Sequence, residues 1–225
     1  EAQERIHVYI GAQVSGFSGR VGQFSTRVVL DGGQSLALKH GAVIIATGGR
    51  EAVPTEYLYG RDPRVMTQRQ LQAELASLQC GQVARAEPSP DSPLSNLRTV
   101  VMIQCVGSRE PDRPYCSRVC CSRAVANALR LKEVFPQLNI FVLYREMRTY
   151  GFREDFYRQA RSKGVAFLRY ELPHKPQVTA GEDGLTVRLR ELITGEELVI
   201  RADLLVLSTG IEPNDNGTLA ELLGV

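Results

Sequence analysis

Apolar and polar residues alternate along the first part of the chain, and glycines interrupt the alternation. This pattern predicts strands separated by glycine-rich turns over residues 5–19 and 21–32. Residues 42–46 are apolar without interruption, which predicts a strand covered on both faces, as in a parallel sheet. Leucines at helical spacing predict a helix over about residues 67–78. The segment 84–98 is rich in proline and serine, so we expect a surface connection and a domain boundary there.

The middle of the chain alternates predicted strands with predicted helices. The strands are residues 99–104, 139–145 and 165–171, and the helices are about residues 121–135 and 155–164. The order β-α-β-α-β is typical of a Rossmann-type half, in which right-handed crossovers join parallel strands.

Two alternating segments and one apolar segment complete the pattern. Residues 185–192 and 196–202 predict a hairpin, and residues 203–214 predict a final buried strand. We therefore predict an α/β fold, with a Rossmann-like parallel-sheet middle domain that carries a β-hairpin layer. The predicted segments are residues 1–98, 99–202 and 203–225.

Composition narrows the class of protein. The chain has 225 residues with 43% apolar content and a net charge of +2, which gives no argument for binding nucleic acid. No apolar run approaches the roughly 20 residues of a membrane span, so we expect no direct membrane insertion. No signal peptide is visible, which favours a reducing, cytoplasmic compartment. The chain does not begin with Met, and we expect it to be part of a longer protein.

Cysteines are concentrated in the segment CVGSREPDRPYCSRVCC, which contains Cys105, Cys116, Cys120 and Cys121. Clustered thiols in a reducing compartment mark metal binding or redox chemistry more often than structural disulfides. Four thiolates suit an iron–sulfur cluster. Zinc also takes four cysteines, but its structural sites usually supply them as two spaced pairs. A thiol–disulfide pair and inert thiols are the remaining alternatives. The isolated Cys80 is assigned no role.

The predicted surroundings of these cysteines suit bound anionic sulfur. Cys105 is expected to end a strand, and Cys120 and Cys121 to lie at or just before a helix start, where free N–H groups favour thiolates. Positive charge nearby would offset a negatively charged cluster. It is carried by Arg109, Arg113, Arg118 and Arg123.

Two segments, VIIATGG and LVLSTGIEPN, are alike: each is an apolar strand that ends in Thr-Gly. Together they resemble the crossover strands of thioredoxin-reductase-like flavoproteins with two dinucleotide-binding domains. The resemblance implies that residues 1–98 and 203–225 are parts of an incomplete FAD-binding domain around the middle domain. Glycine at a strand end permits close approach to a cofactor. The implied FAD-binding residues are Ala46, Thr47, Gly48, Thr209 and Gly210.

The glycine turn of those flavoproteins is missing here. The chain contains no G-x-G sequence, and the cysteine segment stands where a second G-x-G-x-x-G would follow residues 99–104. Arg145 and Arg148 follow the second strand, where NADPH-binding relatives hold the 2′-phosphate. Whether NAD(P) binds is left open by these residues.

The cysteine segment carries a narrower resemblance. VMIQCVGSREPDRPYCSRVCCSRAVANALRLKE and GFREDFYRQARSKGVAFLRY are similar to the A subunit of heterodisulfide reductase and to flavoproteins of quinone-interacting membrane-bound oxidoreductases. The resemblance implies an oxidoreductase that passes electrons between FAD, a [4Fe–4S] cluster and partner subunits. It implies four cluster ligands: Cys105, Cys116, Cys120 and Cys121.

Further expectations follow from this resemblance. No acid/base catalytic residues are needed, because the cofactors carry the chemistry. The isolated chain is expected to lack FAD and to be inactive, and any association with a membrane would run through partner subunits. A homodimer stays open. The alternative functions are an NAD(P)H-dependent disulfide reductase domain and a non-catalytic docking module pinned by a metal.

Overall fold

The computed structural model describes residues 4–78, 88–90, 92–182 and 184–225. It divides into two compact units: Glu1–Arg50 with Glu212–Val225, and Glu51–Ile211. The predicted boundary at 84–98 lies partly outside the described residues, and Cys80 lies wholly outside them.

Helices and strands follow one another along the described chain in this order. They are β1 (Ala12–Arg20), β2 (Gln23–Leu30), β3 (Ser35–His40), β4 (Gly49–Glu51), β5 (Val65–Thr67), α1 (Gln68–Ser77), β6 (Thr99–Val106), α2 (Cys120–Val134), β7 (Asn139–Tyr144), α3 (Arg153–Ser162), β8 (Ala166–Arg169), β9 (Gln177–Gly181), β10 (Gly184–Arg190), β11 (Glu197–Ala202), β12 (Leu204–Thr209), β13 (Ile211–Pro213) and α4 (Gly217–Leu223).

The smaller unit contains an antiparallel sheet in the order β1-β2-β3, and α4 packs on β1. The turns between the strands fall at glycine-containing segments, as the alternation with glycines predicts. The predicted strands are therefore confirmed over β1 and β2, whereas residues 5–11 form no strand.

The strand predicted over residues 42–46 is wrong. These residues form no strand, and the side chain of Ile44 is 90% exposed. A strand needs a neighbour whose N–H and C=O groups complete its ladder, and no described strand pairs with this segment. Apolar composition alone therefore leaves residues 42–46 without regular structure.

The larger unit is built on a five-stranded sheet in the order β5-β12-β6-β7-β8. All of its ladders are parallel. Val100 and Met102 pack into one apolar cluster with residues of α1, α2 and α3, while Val101 and Ile103 pack into a second cluster with residues of β10. The alternation along β6 therefore gives the sheet two covered faces, one helical and one formed by the β9–β11 layer.

The predicted α/β fold with a Rossmann-like parallel sheet and a hairpin layer is thus confirmed. The last predicted strand, β12, is an interior strand of the sheet, because it lies between β5 and β6. β5, α1 and β12 belong to the same compact unit as the middle segment. The assignment of residues 1–98 and 203–225 to an FAD-binding domain stays a prediction.

Two helices illustrate how the sequence sets helix ends. α1 begins with a capping box, because Thr67 accepts from the Gln70 N–H and the Gln70 side chain accepts from the Thr67 N–H. α2 has no side-chain hydrogen bond at its amino end, where Cys120 and Cys121 form the first turn. None of the described helices has both the length and the apolar character to cross a bilayer.

Candidate functional site

A bulge at the carboxyl end of β6 positions the first cysteine. Ile103 pairs with Leu207 of β12 and Val106 pairs with Thr209, so Gln104 and Cys105 together face Ser208. Cys105 adopts a φ of 61°, in the left-handed region that non-glycine residues rarely occupy. Bulges of this kind re-aim a side chain and are common beside functional sites.

The loop after Cys105 folds back on itself. Ser108 donates from its hydroxyl to the carbonyl of Tyr115 at 2.9 Å, and the N–H of Arg109 donates to the same carbonyl at 3.2 Å. Glu110 and Arg113 form a bridge at the tip of this loop. The loop therefore returns Cys116, the residue after Tyr115, to the end of β6.

The two cysteines of α2 contact carbonyl groups at the ends of the two strands that flank β6. The thiol of Cys120 donates to the carbonyl of Thr209 at 3.3 Å, at the end of β12. The thiol of Cys121 donates to the carbonyl of Glu146 at 3.7 Å, just after β7. The start of α2 is thus held at the carboxyl edge of the parallel sheet, where ligands of such sheets bind.

Gly210 permits the close packing of β12 against the cysteine loop. A Cβ atom there would lie 3.1 Å from the carbonyl oxygen of Gly107 and 3.3 Å from the Cβ of Ser108. The N–H of Gly210 donates to the carbonyl of Val106 at 3.2 Å. Ser117 accepts from the N–H of Ile211 at 2.8 Å, which fixes the far side of the loop.

Burial raises the pKa of three of the cysteines, Cys105, Cys120 and Cys121. Burial raises the pKa of the Cys105 and Cys121 thiols. It also raises the pKa of Cys120 to about 12, with further contributions from negative charge on Cys121, Cys105 and Cys116. The four thiols therefore share one electrostatic environment, and any metal that they bind must displace protons.

Arginines around this environment act in the opposite direction. Positive charge on Arg109 and Arg145 lowers the pKa of Cys105 against the effect of burial. The backbone N–H and the charge of Arg148 do the same for Cys121. Glu146 pairs with Arg148 at 2.6 Å and with Arg109 at 3.2 Å. Arg123, which was also predicted to offset negative charge, pairs with Glu51 at 2.8 Å.

The residues predicted to bind FAD are divided between the two compact units. Thr209 and Gly210 lie at the cysteine loop. Thr47 and Gly48 lie in the smaller unit, where Asn214 donates from its side-chain amide to the carbonyl of Thr47 at 2.8 Å. Ala46 is exposed in the same segment.

No protein-family profile matches the chain. Curated relatives do match. The chain is 38% identical over 200 residues to the A subunit of the H(2)/formate:CoB-CoM heterodisulfide,ferredoxin reductase of Methanococcus maripaludis. This alignment covers 85% of this chain and 30% of the relative. It is 36% identical over 200 residues, with the same coverage, to the iron–sulfur A subunit of the CoB–CoM heterodisulfide reductase of Methanocaldococcus jannaschii. This chain is a homologue of the heterodisulfide reductase A subunits.

The predicted resemblance to these A subunits is therefore confirmed, and the chain spans about 30% of the length of these relatives. Among solved structures, T. acidophilum thioredoxin reductase aligns with a TM-score of 0.42 and 14% identity, over 91% of this chain and 54% of that one. DfoA of Erwinia amylovora, solved with FAD, aligns with a TM-score of 0.48 and 11% identity, over 95% and 55%.

The sequence did not lead us to predict that residues just after β7, Arg145 and Arg148, lie close enough to the cysteines to affect their pKa values. We considered these arginines only as nucleotide-binding residues. A usable signal was present, because the carboxyl ends of adjacent parallel strands meet at one edge. The end of β7 had therefore to lie near Cys105, at the end of β6.

The donor chemistry of the site fits an iron–sulfur cluster. It combines four thiols, three of them partly buried and Cys121 buried, with guanidinium groups that offset negative charge. All four thiols are free. Across the described ranges, no group of three or more His, Cys, Asp or Glu side chains is arranged to hold a metal ion.

Proposed function

We propose that this chain is the electron-transfer part of an FAD- and iron–sulfur-dependent oxidoreductase. Cys105, Cys116, Cys120 and Cys121 would hold a [4Fe–4S] cluster, which would pass electrons between a flavin and partner subunits. The observation that carries the proposal is that the thiols of Cys120 and Cys121 donate to carbonyls at the carboxyl edge of the parallel sheet, while charge on Cys105 and Cys116 contributes to the raised pKa of Cys120.

The thiols and their neighbours suit a cluster in three respects. Four cysteines match the usual number of ligands of a [4Fe–4S] cluster. Arg109, Arg145 and Arg148 supply positive charge against the charge of the thiolates. The related protein of Methanocaldococcus jannaschii is named an iron–sulfur subunit. The cluster supplies one-electron chemistry, and the protein would hold it and set its potential.

A flavin is proposed for the whole protein because the chain resembles flavoproteins that carry FAD beside such a domain. Ala46, Thr47 and Gly48 would approach FAD from one Thr-Gly segment, and Thr209 and Gly210 from the other. NAD(P) is not part of the proposal. Arg145 lies near Cys105, and a cysteine loop stands where the nucleotide-binding glycine turn would be.

The partners would be other redox subunits, as the names of the relatives describe subunits of heterodisulfide reductases. We propose a cytoplasmic protein that meets a membrane only through such partners. No residue is assigned as a general acid or base, because the cofactors would carry the chemistry.

Electron transfer between reduced flavin and the chain tests this function. The chain is loaded anaerobically with iron and sulfide and then mixed with chemically reduced free flavin, and its visible absorbance is followed. We expect the absorbance to bleach and to return on addition of an oxidant. A loaded chain whose absorbance neither bleaches nor recovers would refute an electron-transfer role.

Two cysteine variants serve as controls for this experiment. Cys121→Ser removes one proposed ligand and should abolish the reversible absorbance. Cys80→Ser removes the cysteine to which the sequence gives no role, and it should behave as the unaltered chain does.

A further inference from the structure

Apart from Gln68 in α1, the described buried polar atoms without hydrogen-bond partners belong to residues that adjoin the cysteines in sequence, that end β12, or whose charge acts on Cys105. In the described residues they are Gln68 Nε2, Gln104 Nε2 and Oε1, Arg109 Nη1, Ser122 Oγ, Ser208 Oγ and Thr209 Oγ1. Gln104 and Ser122 adjoin proposed ligands in sequence, Ser208 and Thr209 end β12, and the charge of Arg109 acts on Cys105. Because buried polar groups are nearly always paired and are costly when unpaired, these unpaired atoms point to a partner that is not a protein group.

Gln104 is the clearest case. Its residue is fully buried, and both polar atoms of its side chain lack partners. Val100 and Met102 belong to the helix-side apolar cluster, so alternation along β6 places Gln104 on the same face, beneath α2. The hydroxyl of Tyr170 donates to the backbone carbonyl of Gln104 at 2.6 Å and not to its side-chain amide.

Ser208 lies opposite Gln104 across the bulge. It is 1% exposed, and its hydroxyl has no partner. Leu204 and Val206 of the same strand belong to the helix-side cluster, so alternation turns Ser208 toward α2 as well. The backbone carbonyl of the next residue, Thr209, accepts from the thiol of Cys120. Ser208 therefore lies beneath the first turn of α2, where two proposed ligands begin the helix.

We propose that Gln104 and Ser208 are positioning residues that donate hydrogen bonds to the sulfur atoms of the bound cluster. The inference rests on the proposed function and adds the residues that set its potential. A hydrogen bond to cluster or cysteine sulfur stabilises the more negative, reduced state, so each donor raises the reduction potential. Without a cluster the same donors have no partners, and burying them unpaired lowers the stability of the metal-free chain. A variant with an apolar side chain in their place should therefore be more stable than the unaltered metal-free chain.

The two states of the chain therefore give opposite expectations for Gln104→Leu. In the loaded chain we expect unchanged iron and sulfide content and a lower reduction potential, measured by anaerobic redox titration. In the metal-free chain we expect a higher denaturant midpoint, because an unpaired buried amide has been replaced by an apolar side chain. Ser208→Ala should lower the potential of the loaded chain in the same direction.

Met102→Leu is the matched control. It lies on the same strand and face as Gln104, is fully buried, and exchanges one apolar side chain for another. We expect it to leave the reduction potential unchanged. A structural effect of any substitution in this row would move the control together with Gln104→Leu.

The outcomes separate this inference from the proposed function. Potentials equal to that of the unaltered chain in both loaded variants would overturn the inference and leave the cluster in place. If Gln104→Leu fails to fold, the potential of Ser208→Ala decides the question alone. A folded, unaltered chain that takes up no iron and sulfide would refute the proposed function, and the inference with it.

Discussion

The two Thr-Gly segments, alike in sequence, have opposite outcomes in the fold. Every residue of β12 is buried, whereas residues 42–46 form no strand and leave Ile44 exposed. The difference lies in their neighbours: β12 pairs with β5 and β6, and no described strand pairs with residues 42–46. An apolar run thus predicts a buried strand only where the chain supplies the strands on either side.

The ends of the two segments differ as well. The backbone carbonyl of Thr209 accepts a hydrogen bond from the thiol of Cys120, and Gly210 packs against the cysteine loop. Thr47 and Gly48 instead accept from the side chain and backbone of Asn214. A shared sequence therefore carries a contact to a proposed metal ligand in one place and a simple loop contact in the other.

A buried charge gives the largest expected difference between the two segments. Val206→Asp places a carboxylate in the middle of the covered sheet and should cost more than about 4 kcal/mol of the free energy of unfolding. Ile44→Asp places the same group on an exposed segment and should change the free energy by about 0.5 kcal/mol or less. Denaturant unfolding followed by circular dichroism measures both, and equal losses would erase the contrast.

Adding one methyl group at each Thr-Gly end gives a smaller contrast. Gly210→Ala places a Cβ against the Gly107 carbonyl and should cost about 1 to 3 kcal/mol, with reduced uptake of iron. Gly48→Ala meets only the Asn214 side chain at 3.9 Å, although its φ of 71° adds about 1 to 2 kcal/mol of backbone strain. Iron uptake by Gly48→Ala should match that of the unaltered chain. Equal iron loss in both variants would contradict the assigned contact.

Alkaline pH gives the smallest expected effect. The folded-state pKa of Cys120 is raised to about 12 by burial and by the neighbouring cysteines, whereas an unfolded thiol titrates at about 8.5. The metal-free chain therefore keeps this contribution to stability below about pH 8.5 and loses it as the pH rises toward about 12. Unfolding midpoints at about pH 8 and about pH 9.5 should fall less in Cys120→Ala than in the unaltered chain. Equal decreases would show that Cys120 does not keep its proton.

The spacing of apolar residues, and the glycines and prolines between apolar segments, predicted most of the fold. Alternation predicted β1 and β2, helical spacing predicted α1, and the β-α-β order predicted the parallel sheet, because these signals are local. The strand order was not local: β12 enters between β5 and β6 only because distant segments meet. For the same reason residues 42–46 were predicted wrongly.

The candidate site divides in the same way. The sequence was sufficient to predict the cysteine site, because it shows the spacing of the cysteines and the similarity of the surrounding segment to the heterodisulfide reductase A subunits. Two other features depend on how the strands pair. Arg145 and Arg148 reach the cysteines from the end of β7. A bulge places Gln104 and Cys105 opposite Ser208. Side chains that are unremarkable in sequence, such as Gln104 and Ser208, acquire meaning only from their burial without partners.

The metal content of the anaerobically purified chain tests the central claim most directly. Iron, acid-labile sulfide and zinc are measured on the unaltered chain and on single Cys→Ser variants. The account predicts about four iron and four sulfide ions per chain. Cys80→Ser should retain them, and variants of Cys105, Cys116, Cys120 and Cys121 should lose them. About one zinc ion per chain, without iron or sulfide, would contradict the account.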